Sequence, residues 1–173
     1  MLLRLAEPAD AMDVARIHVR SWQAAYRGLM PDAYLDALRP EDRASRYDFA
    51  TTDPAKPRTI VLEEAKTIHG FATTMPSRDP DTPNHGELCA LYVDPEYGSS
   101  GYGLALVEEA RRHLSASGFS SAMLWLLEGN TRADRFYRAD AWLPDGTRRS
   151  EQMWGITVNE LRYRRALGVV LRP

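Results

Sequence analysis

Three glycines within six residues, set between an apolar run and an amphipathic segment, constrain this chain more than any other feature. Glu87-Leu88-Cys89-Ala90-Leu91-Tyr92-Val93 is short and mostly apolar and is stopped by Asp94-Pro95, which predicts a strand buried on both faces. Tyr97-Gly98-Ser99-Ser100-Gly101-Tyr102-Gly103 then leads into a segment with Leu104, Val107, Ala110 and Leu114 on one stripe and Glu108, Glu109, Arg111 and Arg112 elsewhere, which predicts a helix. Gly118 stops that helix, residues 121–127 read as a second buried strand, and Gly129-Asn130 opens a short helix carrying Ala133, Phe136 and Tyr137. A strand-helix-strand connection makes the two strands, 88–93 and 121–127, parallel neighbours.

A glycine-rich turn that opens a helix exposes backbone N–H groups with no intrahelical acceptor, and the helix dipole adds positive potential there, so such a turn can bind phosphate. The dipole contributes only about 0.3 to 2 kcal/mol toward a neighbouring anion, so several N–H groups must converge on a pyrophosphate to give useful affinity. Glycine lets the backbone come that close. The same residues would serve equally as a tight turn needing positive φ, and the turn alone does not decide between the two. Other motifs are excluded by the letters. No Gly-Lys-Ser/Thr ends a P-loop, Leu106 stands where the last glycine of Gly-x-Gly-x-x-Gly would be, and Gly98-Ser99-Ser100-Gly101 is one residue short of Gly-x-Ser-x-Gly.

Before this unit, residues 2–5 read as a first strand closed by Pro8, with Asp10 as a helix N-cap. Val14, Ile17, His18, Ser21, Trp22 and Ala25 then share one helical face, which Gly28 ends. Pro31 suits the first turn of a second helix with Tyr34, Leu35 and Leu38, and Pro40 starts a third with Tyr47 and Phe49. Residues 59–63 and 67–75 flank the turn 64–66 as a hairpin, and 77–86, with Pro80 and Pro83, reads as an exposed loop. Residues 148–165 predict two more strands, with 152–159 too irregular to place. No repeat or linker interrupts the chain, so residues 1–173 are expected to form a single domain.

At 173 residues the chain can bury a core without disulfides or a metal. A formal charge of −2 offers no electrostatic footprint for nucleic acid, and no apolar run approaches eighteen residues, so neither a nucleic-acid nor a membrane partner is expected. Residues 1–7 are too short and too quickly charged for a signal peptide, and Cys89 is the only cysteine; both favour a cytoplasmic location. Cys89, in a strand expected to be buried, reads as a packing residue, and His18 as a core histidine. His69, His85 and His113 fall on unlike elements without metal-ligand spacing, so no metal is expected.

Tyr92-Val93-Asp94-Pro95-Glu96-Tyr97, the Gly101-x-Gly103 that follows, and then Asn130, Ala133, Phe136-Tyr137 and Ala141-Trp142 resemble the GNAT superfamily of acetyl-CoA-dependent N-acetyltransferases. Residues 21–31 and 161–165 resemble its flanking segments, so the likeness covers essentially the whole chain. It implies an α/β fold with a mixed, mostly antiparallel central sheet flanked by helices, whose parallel central strands splay apart to admit the coenzyme. The chain departs from the family pattern at Gly98, where Arg or Gln is usual. That removes a side chain expected to order the loop or contact phosphate, and bears on coenzyme affinity more than on fold.

By the same resemblance the cosubstrate is acetyl-CoA and the partner a small-molecule or protein amine, with a homodimer left open. The strand backbone at Leu91, Tyr92 and Val93 would hold the thioester and pantetheine arm. The turn Gly98, Ser99, Ser100, Gly101, Tyr102, Gly103 and Leu104 would hold the pyrophosphate, with Asn130, Ala133, Phe136 and Tyr137 alongside. Asn130 could equally cap its helix. Acetyl transfer to an amine needs a neutral nucleophile, a polarised carbonyl and a proton for the thiolate. An alkyl ammonium with pKa near 10.4 costs about 4 to 5 kcal/mol to neutralise at pH 7, and an α-amino group near 7.7 only about 1. Glu87, opening the central strand, is the expected base, with Glu128 at the end of the next strand in reserve beside the acceptor. Tyr137 is the expected acid, and Trp22 and Tyr26 are expected to line the acceptor pocket. A non-catalytic acyl-CoA-binding module of the same fold is the alternative; a nucleotide-binding signalling module would lack its motif.

Overall fold

The computed structural model describes residues 1–153 and 155–168. The chain runs β1 (Leu2–Leu5), α1 (Ala11–Ala25), α2 (Asp32–Ala37), α3 (Pro40–Ala44), β2 (Arg58–Glu64), β3 (Thr67–Pro76) and β4 (Gly86–Val93). It continues through α4 (Tyr102–Ala116), β5 (Ser121–Leu127), α5 (Thr131–Ala139), β6 (Leu143–Met153) and β7 (Ile156–Ala166). The strands form one sheet in the order β1-β2-β3-β4-β5-β7-β6, antiparallel throughout except for the parallel pair β4 and β5.

Strand alternation fills both faces of this sheet. Ile60, Leu62 and Ala72 pack with Leu106, Val107 and Ala110 of α4, whereas Val61, Ile68 and Phe71 pack with Val14 and Ile17 of α1. Phe71 is 1% exposed, and burying a side chain of that kind stabilises by about 1.5 to 3 kcal/mol. The strands therefore read as nearly continuous apolar runs.

The parallel ladder is short. Gly86 pairs with Ala122 and Glu87 with Met123, after which β4 and β5 diverge. On the other side of β4, Thr73 faces Ala90 and Thr74 faces Leu88, so Cys89 is an extra residue, a β-bulge that bends β4 where the divergence begins.

Several local expectations change in the folded chain. Asp10 directs its carboxylate to the Glu7 N–H and to Arg4 and makes no side-chain cap for α1. Pro31 precedes α2 as its N-cap, and α3 ends at Ala44, leaving Tyr47 and Phe49 beyond it, stacked on each other at 5.0 Å. The loop 77–86 is held down, not exposed throughout: Arg162, buried in β7, donates to Asp79 at 3.3 Å and to Asp81 at 2.8 Å, and Thr82 is fully buried. A buried guanidinium needs such partners, and the loop supplies them. Of the two late strands, β6 begins at Leu143. Residue 154, within the segment 152–159, and residues 169–173 of the expected single domain lie outside the described residues.

Candidate active site

Where β4 and β5 part, a cavity of about 420 Å³ opens between them. Its walls are Leu88 to Val93 of β4 and Leu124 to Leu127 of β5, strand edges that face each other without a shared ladder beyond Glu87 and Met123. A backbone group without a ladder partner must bond to something else, so these edges can receive an extended ligand with its own amide groups. Cys89 faces this opening and is exposed within it, which corrects its reading as a packing residue; the bulge is what turns it outward. The surrounding protein nonetheless desolvates the thiol and, with the charge of Glu87, raises its pKa, so it stays protonated.

Gly98 and Gly103 line one end of the cavity, with α4 starting immediately after Gly101. Gly101 has φ +82°, a left-handed conformation that disfavours any residue with a β-carbon, and no side chain caps α4 and no acid lies in its first turn. The leading N–H groups of α4 are thus left for solvent or a ligand. Ser99, Ser100, Tyr102 and Leu104 complete this turn without lining the cavity; Tyr102 instead turns away to bond Glu64. Asn130 lines the cavity and caps α5, accepting from the Ala133 N–H at 3.1 Å.

Tyr137, Ala133 and Phe136 of α5 form the wall beside the strands. The Tyr137 ring lies edge-on to the fully buried Trp142, centroids 6.1 Å apart, which fixes its orientation. Burial, reinforced by nearby Tyr92 and Asp140, raises its pKa, so the phenol keeps its proton at neutral pH. The opposite end is aromatic. Trp22 of α1 and Tyr26, the residue that caps its end, line it with Tyr92, whose hydroxyl lies 3.2 Å from that of Tyr26. His18 also lines it and stacks on Tyr92 at 4.9 Å, with Nδ1 2.8 Å from the Tyr47 hydroxyl and Nε2 without a partner. It is therefore a half-satisfied cavity residue and not a fully satisfied core histidine. Burial, aided by the charge of Arg43, pulls its pKa down to about 3, so the ring is neutral.

Among the described residues that line the cavity, one carries a carboxylate, Glu160 on β7. It accepts a 2.7 Å hydrogen bond from Nε of Arg149, its cross-strand partner on β6, and Arg149 lies 4.1 Å over the Trp125 ring. Desolvation raises the Glu160 pKa; Arg149 opposes the shift, and the charges of Glu151 and Glu87 add to it.

Residues 18–141 match the model of the acetyltransferase (GNAT) family, well over half of the chain. The chain belongs to the GNAT family. An uncharacterized N-acetyltransferase of Bacillus subtilis (strain 168), YuaI, is 30% identical over 128 residues, covering 74% of this chain and 72% of that protein. The fold also matches solved structures at low identity. PaiA N-acetyltransferase of Thermoplasma acidophilum, in complex with coenzyme A, superposes with TM-score 0.74 at 17% identity, over 96% of this chain and 99% of that one. YncA of Salmonella typhimurium, solved with acetyl-CoA, superposes with TM-score 0.72 at 16% identity, over 100% and 97%.

In this GNAT domain the side chains expected at the site divide into two groups. Trp22, Tyr26, Leu91, Tyr92, Val93, Asn130, Ala133, Phe136 and Tyr137 meet around the cavity. Glu87 and Glu128 do not line it. Glu87 is 4% exposed and bonded to Arg78, Oε1 to Nη2 at 2.8 Å, and Glu128 reaches Arg148 at the surface at 2.7 Å. Glu160 escaped the sequence reading because it follows directly on the unplaced segment 152–159, so the face of β7 on which it lies was not fixed. The available signal was the spacing Val158, Glu160, Arg162, three positions that alternate onto one buried strand face. Among the described residues no cluster of His, Cys, Asp or Glu is arranged to hold a metal, and no helix is long and apolar enough to cross a membrane.

Proposed function

We propose that this GNAT domain transfers the acetyl group of acetyl-CoA to a primary amine of a small molecule or protein by direct attack in a ternary complex. The observation that carries this reading is the divergence of β4 and β5 onto a cavity with Tyr137 on one wall and the desolvated Glu160 at its aromatic end. The unladdered edge at Leu91, Tyr92 and Val93 fits the amides of a pantetheine arm, and the uncapped turn before α4 fits a pyrophosphate.

Acetyl-CoA supplies a thioester whose carbonyl carbon accepts the nucleophile. Glu160 removes a proton from the acceptor ammonium, a step that matters most for alkyl amines, where neutralisation costs about 4 to 5 kcal/mol at pH 7. The freed lone pair attacks the carbonyl carbon, the C–N bond forms, and the C–S bond breaks. As the C–S bond breaks the attacking nitrogen sheds its second proton and Tyr137 gives its own proton to the departing sulfur, to be reprotonated through solvent; with the first proton released from Glu160, the products are an amide, a thiol and one released proton. Glu87 acts behind Glu160, its charge contributing to the raised pKa of that group.

The test is thiol release from acetyl-CoA with a panel of alkyl and α-amines while both substrates are varied. Turnover with intersecting double-reciprocal lines supports direct attack. Tight acetyl-CoA binding without turnover on any amine would leave only a binding module.

A further inference from the structure

Position 98 carries the departure from the family pattern, and its backbone does not call for glycine. Gly98 has φ −59° and ψ −15°, a right-handed conformation open to any residue, whereas Gly101 three residues later has φ +82°. What a side chain at 98 would meet is Arg132. A β-carbon built there would stand 2.8 Å from Nη2 of Arg132, closer than real contacts allow, with the next neighbour, the Pro95 carbonyl, at 3.5 Å. Around Gly101 nothing lies within 4 Å. The missing side chain of one element has made room for the guanidinium of another.

Arg132 stands near the start of α5, lines the cavity, and reaches back over the turn to donate a long 3.4 Å hydrogen bond to the Gly98 carbonyl. It has no carboxylate partner among the described residues, unlike Arg138 on the same helix, which pairs with Asp134. Asp134, the acid in the first turn of α5, is also committed to the Tyr163 hydroxyl. The first turn of α4 has neither an acid nor a cap. The uncapped start of α4 and the guanidinium therefore bring positive potential to one end of the cavity, the one acid of the α5 first turn being paired with Arg138, and a cation at a helix N-terminus is itself slightly unfavourable.

Resting on the acetyl-CoA reading above, we infer that Arg132 is a cosubstrate-binding residue that grips the diphosphate of acetyl-CoA from α5, and that Gly98 leaves open the space in which its guanidinium lies. The guanidinium supplies from the opposite side the charge that the turn lacks. A side chain at position 98 would push this guanidinium away from its place over the turn.

The experiment is calorimetric titration of wild type, Arg132→Gln, Gly98→Val and the double variant with acetyl-CoA, acetyl-dephospho-CoA and S-acetylpantetheine. Arg132 is exposed and Gly98 has an ordinary backbone conformation, so all three variants are expected to fold. Arg132→Gln weakens acetyl-CoA and acetyl-dephospho-CoA alike, by about tenfold for one charge-assisted contact, and leaves S-acetylpantetheine unchanged. Gly98→Val displaces the guanidinium and gives a similar loss, and the double variant loses no more than the worse single one. Unchanged acetyl-CoA affinity in Arg132→Gln overturns the inference, as does a loss that persists with S-acetylpantetheine or one that vanishes with acetyl-dephospho-CoA. Losses that add in the double variant overturn the pairing with Gly98. Wild-type protein that binds no acetyl-CoA overturns the acetyltransferase reading and this inference together, whereas wild-type binding untouched by Arg132→Gln overturns this inference alone.

Discussion

Glu160 and Arg149 face each other across the antiparallel pair of β7 and β6, joined by a 2.7 Å hydrogen bond at the aromatic end of the cavity. The carboxylate is held in a dry setting that favours its protonated form, while Arg149 keeps it from being neutralised outright. A group so balanced can accept a proton from an incoming ammonium. Glu160→Gln is expected to lower kcat/KM for alkyl amines by about 10² to 10⁴, with a smaller loss for α-amines that need less help. Because the Glu160 pKa is raised, the wild-type rate falls on the acid side above the ordinary carboxylate range, and rate-pH profiles of the variant should lose that limb.

Glu87→Gln separates the two carboxylates. Removing its charge lowers the proton affinity of Glu160, so the acid limb should move to lower pH while most of the activity is kept. Loss of activity in Glu87→Gln alongside a fully active Glu160→Gln would return the base to Glu87, acting through water from behind the cavity wall.

Tyr137→Phe deletes only the hydroxyl, and Trp142 still holds the ring. The expected outcome is a kcat lower by about 10 to 10³ with acetyl-CoA affinity nearly intact, read by steady-state kinetics and calorimetry on the same preparation.

Gly101→Glu places a like charge and a side chain where the turn would meet pyrophosphate, and forces a non-glycine residue to φ +82°. Gly101→Ala carries only the backbone strain, about 1 to 2 kcal/mol. Acetyl-CoA affinity should collapse in the first and change far less in the second; equal affinities by calorimetry would make the turn structural.

His18 predicts an acid sensitivity of the fold. Its pKa is about 3 when folded and near 6.5 when unfolded, so between these values the unfolded chain binds the extra proton. The contribution is complete above about pH 6.5 and is lost progressively as pH falls toward 3. Melting temperatures measured across that window should decline less steeply for His18→Phe than for the wild type.

Residues 86–137 carried most of the fold in their letters. An apolar run stopped by Asp94-Pro95, a 3.6-residue stripe through Leu114 stopped by Gly118, and glycine where φ must be positive are local properties, and they determined the strand-helix-strand unit, the parallel pair and the turn before α4. The site was only half legible for a physical reason. Trp22, Tyr26, Tyr92 and Tyr137 were visible because they lie in or beside the segments that carry the family resemblance. Which carboxylate faces the cavity depends on the register of β7 against β5 and β6, strands whose pairing joins residues as far apart as Ser121 and Ala166, and one residue of slip would turn Glu160 outward. The bulge at Cys89, the capture of Glu87 by Arg78 and the reach of Arg132 over Gly98 likewise arise from contacts between elements, which periodicity along a single element cannot encode. The sequence determined the frame and the turn; packing decided which charges meet inside it.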